Sequence, residues 1–153
     1  MKAVDTNVLV RVLTRDDPAQ AGVAVAAMKS ARLYISATVL LETEWVLRHA
    51  YGFRRDEVGA ALRGVVNLAG ATIGDEAAVR QAVTWHAAGM DFADALHLAG
   101  AQGADDLVTF DKQLARRAGQ LDAHPPVTLL AAAGHDDEGP TDGTGGDERH
   151  DGT

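Results

Sequence analysis

The stretch Leu33-Tyr34-Ile35-Ser36-Ala37-Thr38-Val39-Leu40-Leu41-Glu42-Thr43-Glu44-Trp45-Val46-Leu47-Arg48-His49-Ala50-Tyr51-Gly52 decides the fold. Leu33–Ile35 reads as a short apolar strand bounded by polar residues. Ser36 then offers a hydroxyl to a first-turn N–H, capping a helix from Ala37 to about Tyr51. Gly52 stands just past its end, where a left-handed residue closes a helix. A strand followed at once by a helix of this length is half of a crossover unit, and crossovers join parallel strands.

The same unit recurs outward in both directions. Further strands are expected at Ala3–Val4, Ala71–Ile73, Leu107–Phe110 and Val127–Leu130. Asp17-Pro18-Ala19-Gln20 has the form of a helix start, with Asp17 as cap and Pro18 in the first turn, and that helix runs to about Ser30. Asp56 is read as opening a helix to about Leu68, Asp75 one to about Ala88, and Asp91 one from Phe92 to about Gln102. A short helix follows Asp111. Strands alternating with such helices predict an α/β fold: a three-layer α/β/α domain around a central parallel sheet of about four to five strands.

The chain has 153 residues, 46% of them apolar, enough for one domain with a buried core. Aromatics are only 5%, which argues against a base-stacking platform. The absence of cysteine excludes disulfides, thiolate nucleophiles and zinc ribbons. No apolar run approaches the length of a membrane span, and the opening residues do not form a signal peptide, so a soluble, cytoplasmic protein is expected. The net charge of −8 is unevenly spread. Residues 134–153 hold seven acids and one base, and this Gly- and Asp-rich segment reads as a disordered tail beyond a folded body at 1–133.

In an open parallel sheet, ligands gather at the carboxyl ends of the strands. Asp5 ends the first strand, Glu42 lies in the helix after the second, Asp94 in the helix before the fourth, and Asp111 just after that strand. Each acid also has a local use. Asp5, Asp91 and Asp111 could cap helices, Asp94 could complement a helix dipole, and Glu42 could pair with Arg48. Glu44 is read as solvated, as are His49 and His86 at helix ends. Brought together, however, the four carboxylates would repel one another unless a cation neutralised them. Hard oxygen ligands without Cys or a His cluster select Mg²⁺ or Mn²⁺, the equipment for hydrolysing a phosphodiester.

Four segments, Val4-Asp5-Thr6-Asn7-Val8-Leu9, Leu40 to Arg48, Asp91-Phe92-Ala93-Asp94-Ala95-Leu96 and Val108-Thr109-Phe110-Asp111, resemble the motifs of PIN-domain nucleases. Within that family they look most like the VapC-type toxins of bacterial toxin–antitoxin pairs. The resemblance implies a Mg²⁺-dependent endoribonuclease, with Mn²⁺ able to substitute. It makes Asp5 and Asp94 the principal metal ligands, with Glu42 and Asp111 completing the catalytic pocket and Asp91 an auxiliary acid. Thr6, Asn7 and Thr109 would orient these carboxylates. It also implies a homodimer and a cognate antitoxin that covers the site.

Two basic groups could contact RNA phosphates: Arg48, Arg54 and Arg55 near the end of the Glu42 helix, and Lys112, Arg116 and Arg117 after Asp111. Trp45, Trp85 and Tyr51 are expected in the core or an interface, and His97 in a structural role. Two other readings compete. One is a PIN fold that binds without cutting. The other is a haloacid-dehalogenase-like phosphohydrolase with Asp5 as nucleophile, which lacks its general acid because Asn7 stands where the second Asp belongs.

Overall fold

The computed structural model describes residues 1–131, in which five short strands alternate with seven helices. In chain order these are β1 (Lys2–Ala3), α1 (Thr6–Thr14), α2 (Pro18–Lys29), β2 (Leu33–Ile35), α3 (Ala37–His49) and α4 (Arg55–Val66). There follow β3 (Ala71–Ile73), α5 (Glu76–Ala87), α6 (Phe92–Gly100), β4 (Leu107–Thr109), α7 (Lys112–Gln120) and β5 (Val127–Leu129). The expected tail at 134–153 lies outside the described residues.

Every strand pair is parallel, as crossover helices require. β2 lies between β1 and β3, with Leu33 opposite both Lys2 and Ala71. β4 pairs with β5, Leu107 opposite Val127. The expected single sheet is thus drawn as a three-stranded and a two-stranded set, each strand only two or three residues long. Strands this short carry few ladder bonds, and side-chain packing by the helices holds them in place. β2 shows how: Leu33 and Ile35 are buried while Tyr34 between them faces out.

The core is aliphatic. Leu9 of α1, Ile35 of β2, Leu40 and Leu47 of α3, Val58 and Leu62 of α4, Val79 of α5 and Leu98 of α6 are almost wholly enclosed. Phe92 is its largest fully buried side chain, and the bulkier Trp85 stands at its margin. α3 lies at the centre of the helical packing, touching α1, α4 and α6.

Several local signals are realised as expected. The Asp17 carboxylate accepts from Gln20 N at 3.0 Å with Pro18 in the first turn, and the Ser36 hydroxyl accepts from Val39 N at 3.3 Å. A cap of this kind contributes about 1 kcal/mol. The start of α4 is a correction. Arg54, not Asp56, stands at its cap, because the Glu57 carboxylate reaches back to Arg54 N at 2.9 Å. Asp56 falls in the first turn, where its charge complements the helix dipole and pairs with Arg54 at 3.2 Å. β1 is also displaced by one residue, to Lys2–Ala3, although Val4 N still bonds to Tyr34 O at 3.0 Å.

Candidate active site

Asp5 and Asp111 lie just beyond the carboxyl ends of β1 and β4, Glu42 stands in the second turn of α3, and Asp94 in the first turn of α6. Their carboxylates are used differently. Asp5 holds the cap position of α1 with extended backbone, and its carbonyl accepts from Val8 N and Leu9 N. Its exposed side chain makes no capping bond, so the local use open to it is not taken up. Glu42 is exposed on α3, and its Oε2 accepts from the Thr6 hydroxyl at 2.7 Å. Thr6 is buried, so this bond fixes Glu42 beside the residue that follows Asp5.

Asp91 and Asp111 do act as caps. Asp91 Oδ1 accepts from Asp94 N at 3.2 Å, and Asp111 Oδ1 accepts from Gln113 N at 2.7 Å and Leu114 N at 3.1 Å. In each the second oxygen is left over; that of Asp91 lies 3.9 Å from the Arg48 guanidinium. The Thr109 hydroxyl accepts from Asp111 N at 3.0 Å, so Thr109 steadies the backbone of Asp111 rather than its carboxylate. Asn7 is exposed and makes no side-chain hydrogen bond among the described residues.

Asp94 is partly buried, and its carboxyl is pushed above the ordinary range. Burial is the main cause, and the charges of Asp91 and Asp111 add to it, while the nearby His97 opposes. The acids thus stand in two neighbourhoods. Thr6 links Asp5 to Glu42, and mutual repulsion marks Asp94, Asp91 and Asp111 as neighbours. α3, packed against both α1 and α6, carries Glu42 between them. Among the described residues no three carboxylates or imidazoles converge closely enough to hold one ion. The donor set itself suits a hard divalent cation: oxygen only, with like charges whose repulsion a cation would relieve.

The arginines read as phosphate contacts have internal roles. Arg48 pairs with Glu44 at 2.9 Å, Arg54 pairs with Asp56 and Glu57, and Arg55 donates to the carbonyls of His86 and Met90. Arg55 thereby ties α4 to the turn that leads into α6. Lys112 and Arg116 are exposed on α7 and have no ion-pair partner among the described residues. Arg117 is half-buried, its guanidinium against Gly89. A cavity of about 220 Å³ is lined by Arg55, Asp91, Asp94, Gln113 and Arg117, among others.

Two residues read as solvated are buried. Glu44 is 3% exposed and pairs with the more exposed Arg48, and the i,i+4 spacing of the pair was the available signal. His86 is also 3% exposed. It lies one helical turn past Ala82 and Val83, on the apolar face of α5, and meets Phe92 edge-on. Trp45, expected in the core or an interface, is 55% exposed and stacks on His49. Trp85 is buried, and the Tyr51 hydroxyl donates to Asp16 at 2.6 Å.

The family model of the PIN domain matches residues 2–120. No curated protein and no solved structure matches the chain. No helix among the described residues is long and apolar enough to cross a membrane.

Proposed function

The chain belongs to the PIN-domain family, with its nuclease-type fold, and from that membership we propose that it is a divalent-metal-dependent endoribonuclease, the toxin of a toxin–antitoxin pair. The observation that carries this reading is the disposition of acids: Asp5 uncommitted at the end of β1, Glu42 held by Thr6, and Asp94 repelled by Asp91 and Asp111. Asp5 and Asp94 would hold a Mg²⁺ or Mn²⁺ ion, with Glu42, Asp111 and the auxiliary Asp91 around them. Such an ion, when bound, makes a water more acidic and neutralises charge building on a phosphate.

The rest of the work falls to side chains. Glu42, fixed by the Thr6 hydroxyl, orients the attacking water and receives its proton. Asp111, with one oxygen held by two backbone N–H groups, presents the other in a set direction. Lys112 and Arg116 attract the strand. Action in the cytoplasm, pairing as a homodimer and silencing by a cognate antitoxin belong to the same proposal. A groove of about 430 Å³ between α1 and α2, walled by Val8, Val23, Ala24 and Ala27, supports an apolar partner. The separation of the acids into two neighbourhoods favours, as the second reading, a PIN fold that binds RNA without cutting it.

Cleavage of a total-RNA pool separates the two. Discrete fragments with Mg²⁺ or Mn²⁺ that vanish in EDTA and in Asp5→Asn are expected. RNA retention without cleavage by folded, metal-loaded protein would establish the second. Thr6→Val tests the positioning of Glu42. Cleavage should fall about 10- to 100-fold, the usual cost of losing an outer partner of a catalytic group. Stability should change by only about 1 kcal/mol, one hydrogen bond. Unaltered cleavage in Thr6→Val would remove Thr6 from the positioning of Glu42.

A further inference from the structure

A second cavity, about 420 Å³, opens between α4 and α5 and is lined by Arg55, Asp56, Gly59, Arg63, His86 and Ala87. From its chemistry we infer that it is a binding site for a phosphate group. The first observation is His86. The ring is almost wholly buried, yet its Nδ1 has no hydrogen-bond partner among the described residues. Buried polar atoms are nearly always paired, so an orphan on a ring that lines a cavity marks a place where a ligand completes the set.

The second observation is Gly59. It sits inside α4 with ordinary helical backbone, where glycine is among the poorest helix formers. A Cβ here would stand 3.3 Å from Arg63 Nη1 and 3.6 Å from His86 Nδ1. The missing side chain lets the Arg63 guanidinium and the orphan nitrogen approach the helix backbone at one point, which a methyl group would crowd.

The third is charge. Arg63 has no ion-pair partner among the described residues, and Arg55 has committed one guanidinium nitrogen to backbone carbonyls. Asp56, the single acid of the lining, is paired with Arg54 outside it. The excess is positive, and two planar guanidinium groups with an imidazole N–H are the donors that hold a phosphate. Around the ring itself stand Arg55 and Arg63 from α4, Arg48 and Glu44 from α3, and Asp91 before α6.

Arg55 also lines the cavity of Asp91 and Asp94, so the two spaces adjoin through one side chain. An RNA strand at the acids would bring a neighbouring phosphate within reach of the basic cavity. That source rests on the ribonuclease reading, whereas the anion site itself does not.

The test is a titration of metal-free protein with inorganic phosphate at constant ionic strength, followed by the NMR signals of the His86 ring. Saturable shifts are expected in the parent and about 10-fold weaker binding in Arg63→Gln and in Gly59→Ala, the loss of one charge-assisted contact. Gly59→Ala should fold at least as stably as the parent, which separates loss of the site from loss of the fold. Absence of saturable shifts in the parent, or binding unchanged in both variants, would overturn the site. A short single-stranded RNA that displaces phosphate identifies the strand as its source; failure to displace identifies free phosphate. Phosphate binding without any metal-dependent cleavage would refute the ribonuclease and leave this site standing.

Discussion

Asp94→Asn is expected to reduce metal-dependent cleavage by roughly 10³-fold, a decade beyond the loss of an outer partner, while melting at a higher temperature than the parent in EDTA. The two effects share one cause. Burial and the charges of Asp91 and Asp111 hold the Asp94 carboxyl above its ordinary range, so its ionised form works against the fold. A group raised in this way lowers stability as pH rises through its folded-state value. The amide removes the charge and the repulsion together. Its advantage should therefore be present at neutral pH and fade below the carboxylate range, where the parent is protonated too. Mg²⁺ should reverse the order, because an ion bound only by the folded parent raises its melting point by mass action. Thermal melts in EDTA and in Mg²⁺, beside the cleavage assay, read all three. Parent-like cleavage, or a lower melting point in EDTA, would sink the assignment of Asp94.

The largest effect on stability is expected from His86 on the acid side. Burial first, and then the charge of Arg55, lower its pKa from 6.5 to about 4. The unfolded chain thus takes up a proton that the folded one refuses. Stability is complete above pH 6.5, declines as pH falls, and stops declining near pH 4, with about 3 kcal/mol lost. Asp94 acts in the opposite direction, gaining as it protonates. Asp16, held near 2 by Tyr51, matters only at lower pH. Urea unfolding at pH 7.5, 5.5 and 4.5 measures the slope, and the ring signals of His86 locate its titration directly. A ring that titrates near 6.5 would refute this account.

Both residues also mark the reach of sequence reasoning. The strands, the Asp17-Pro18 and Ser36 helix starts, and the capping by Asp91 and Asp111 were legible because each depends on neighbours within four positions. The start of α4 was not, because Asp56 and Glu57 compete for the end of one helix. A side-chain bond from Glu57 to Arg54 N settles that competition. Asp94 was legible as an acid on a helix, but its repulsion by Asp111 depends on how α6 meets the end of β4. Glu44 and His86 were misread for a related reason. Periodicity tells which residues share a face, but not that a charged or polar member will turn inward once Arg48 or Phe92 is there to receive it. Arg55 shows the converse: a basic residue that looks like a free surface contact, with its guanidinium committed to holding a turn.

The spacing of the parallel strand pairs sets the order in which the molecule can be completed as it leaves the ribosome. β1 finds no partner until Leu33 has been made, and β4, which presents Asp111, none until Val127. Loop closure must therefore precede each reward, and the final closure waits until the chain has passed the end of the family match at residue 120. A nascent or truncated chain that stops before β5 carries Asp5, Glu42 and Asp94 but lacks the pairing that fixes Asp111. The pairing of β4 with β5 is thus the last of the strand pairings to become possible, and Asp111 is the last of the four acids to be set.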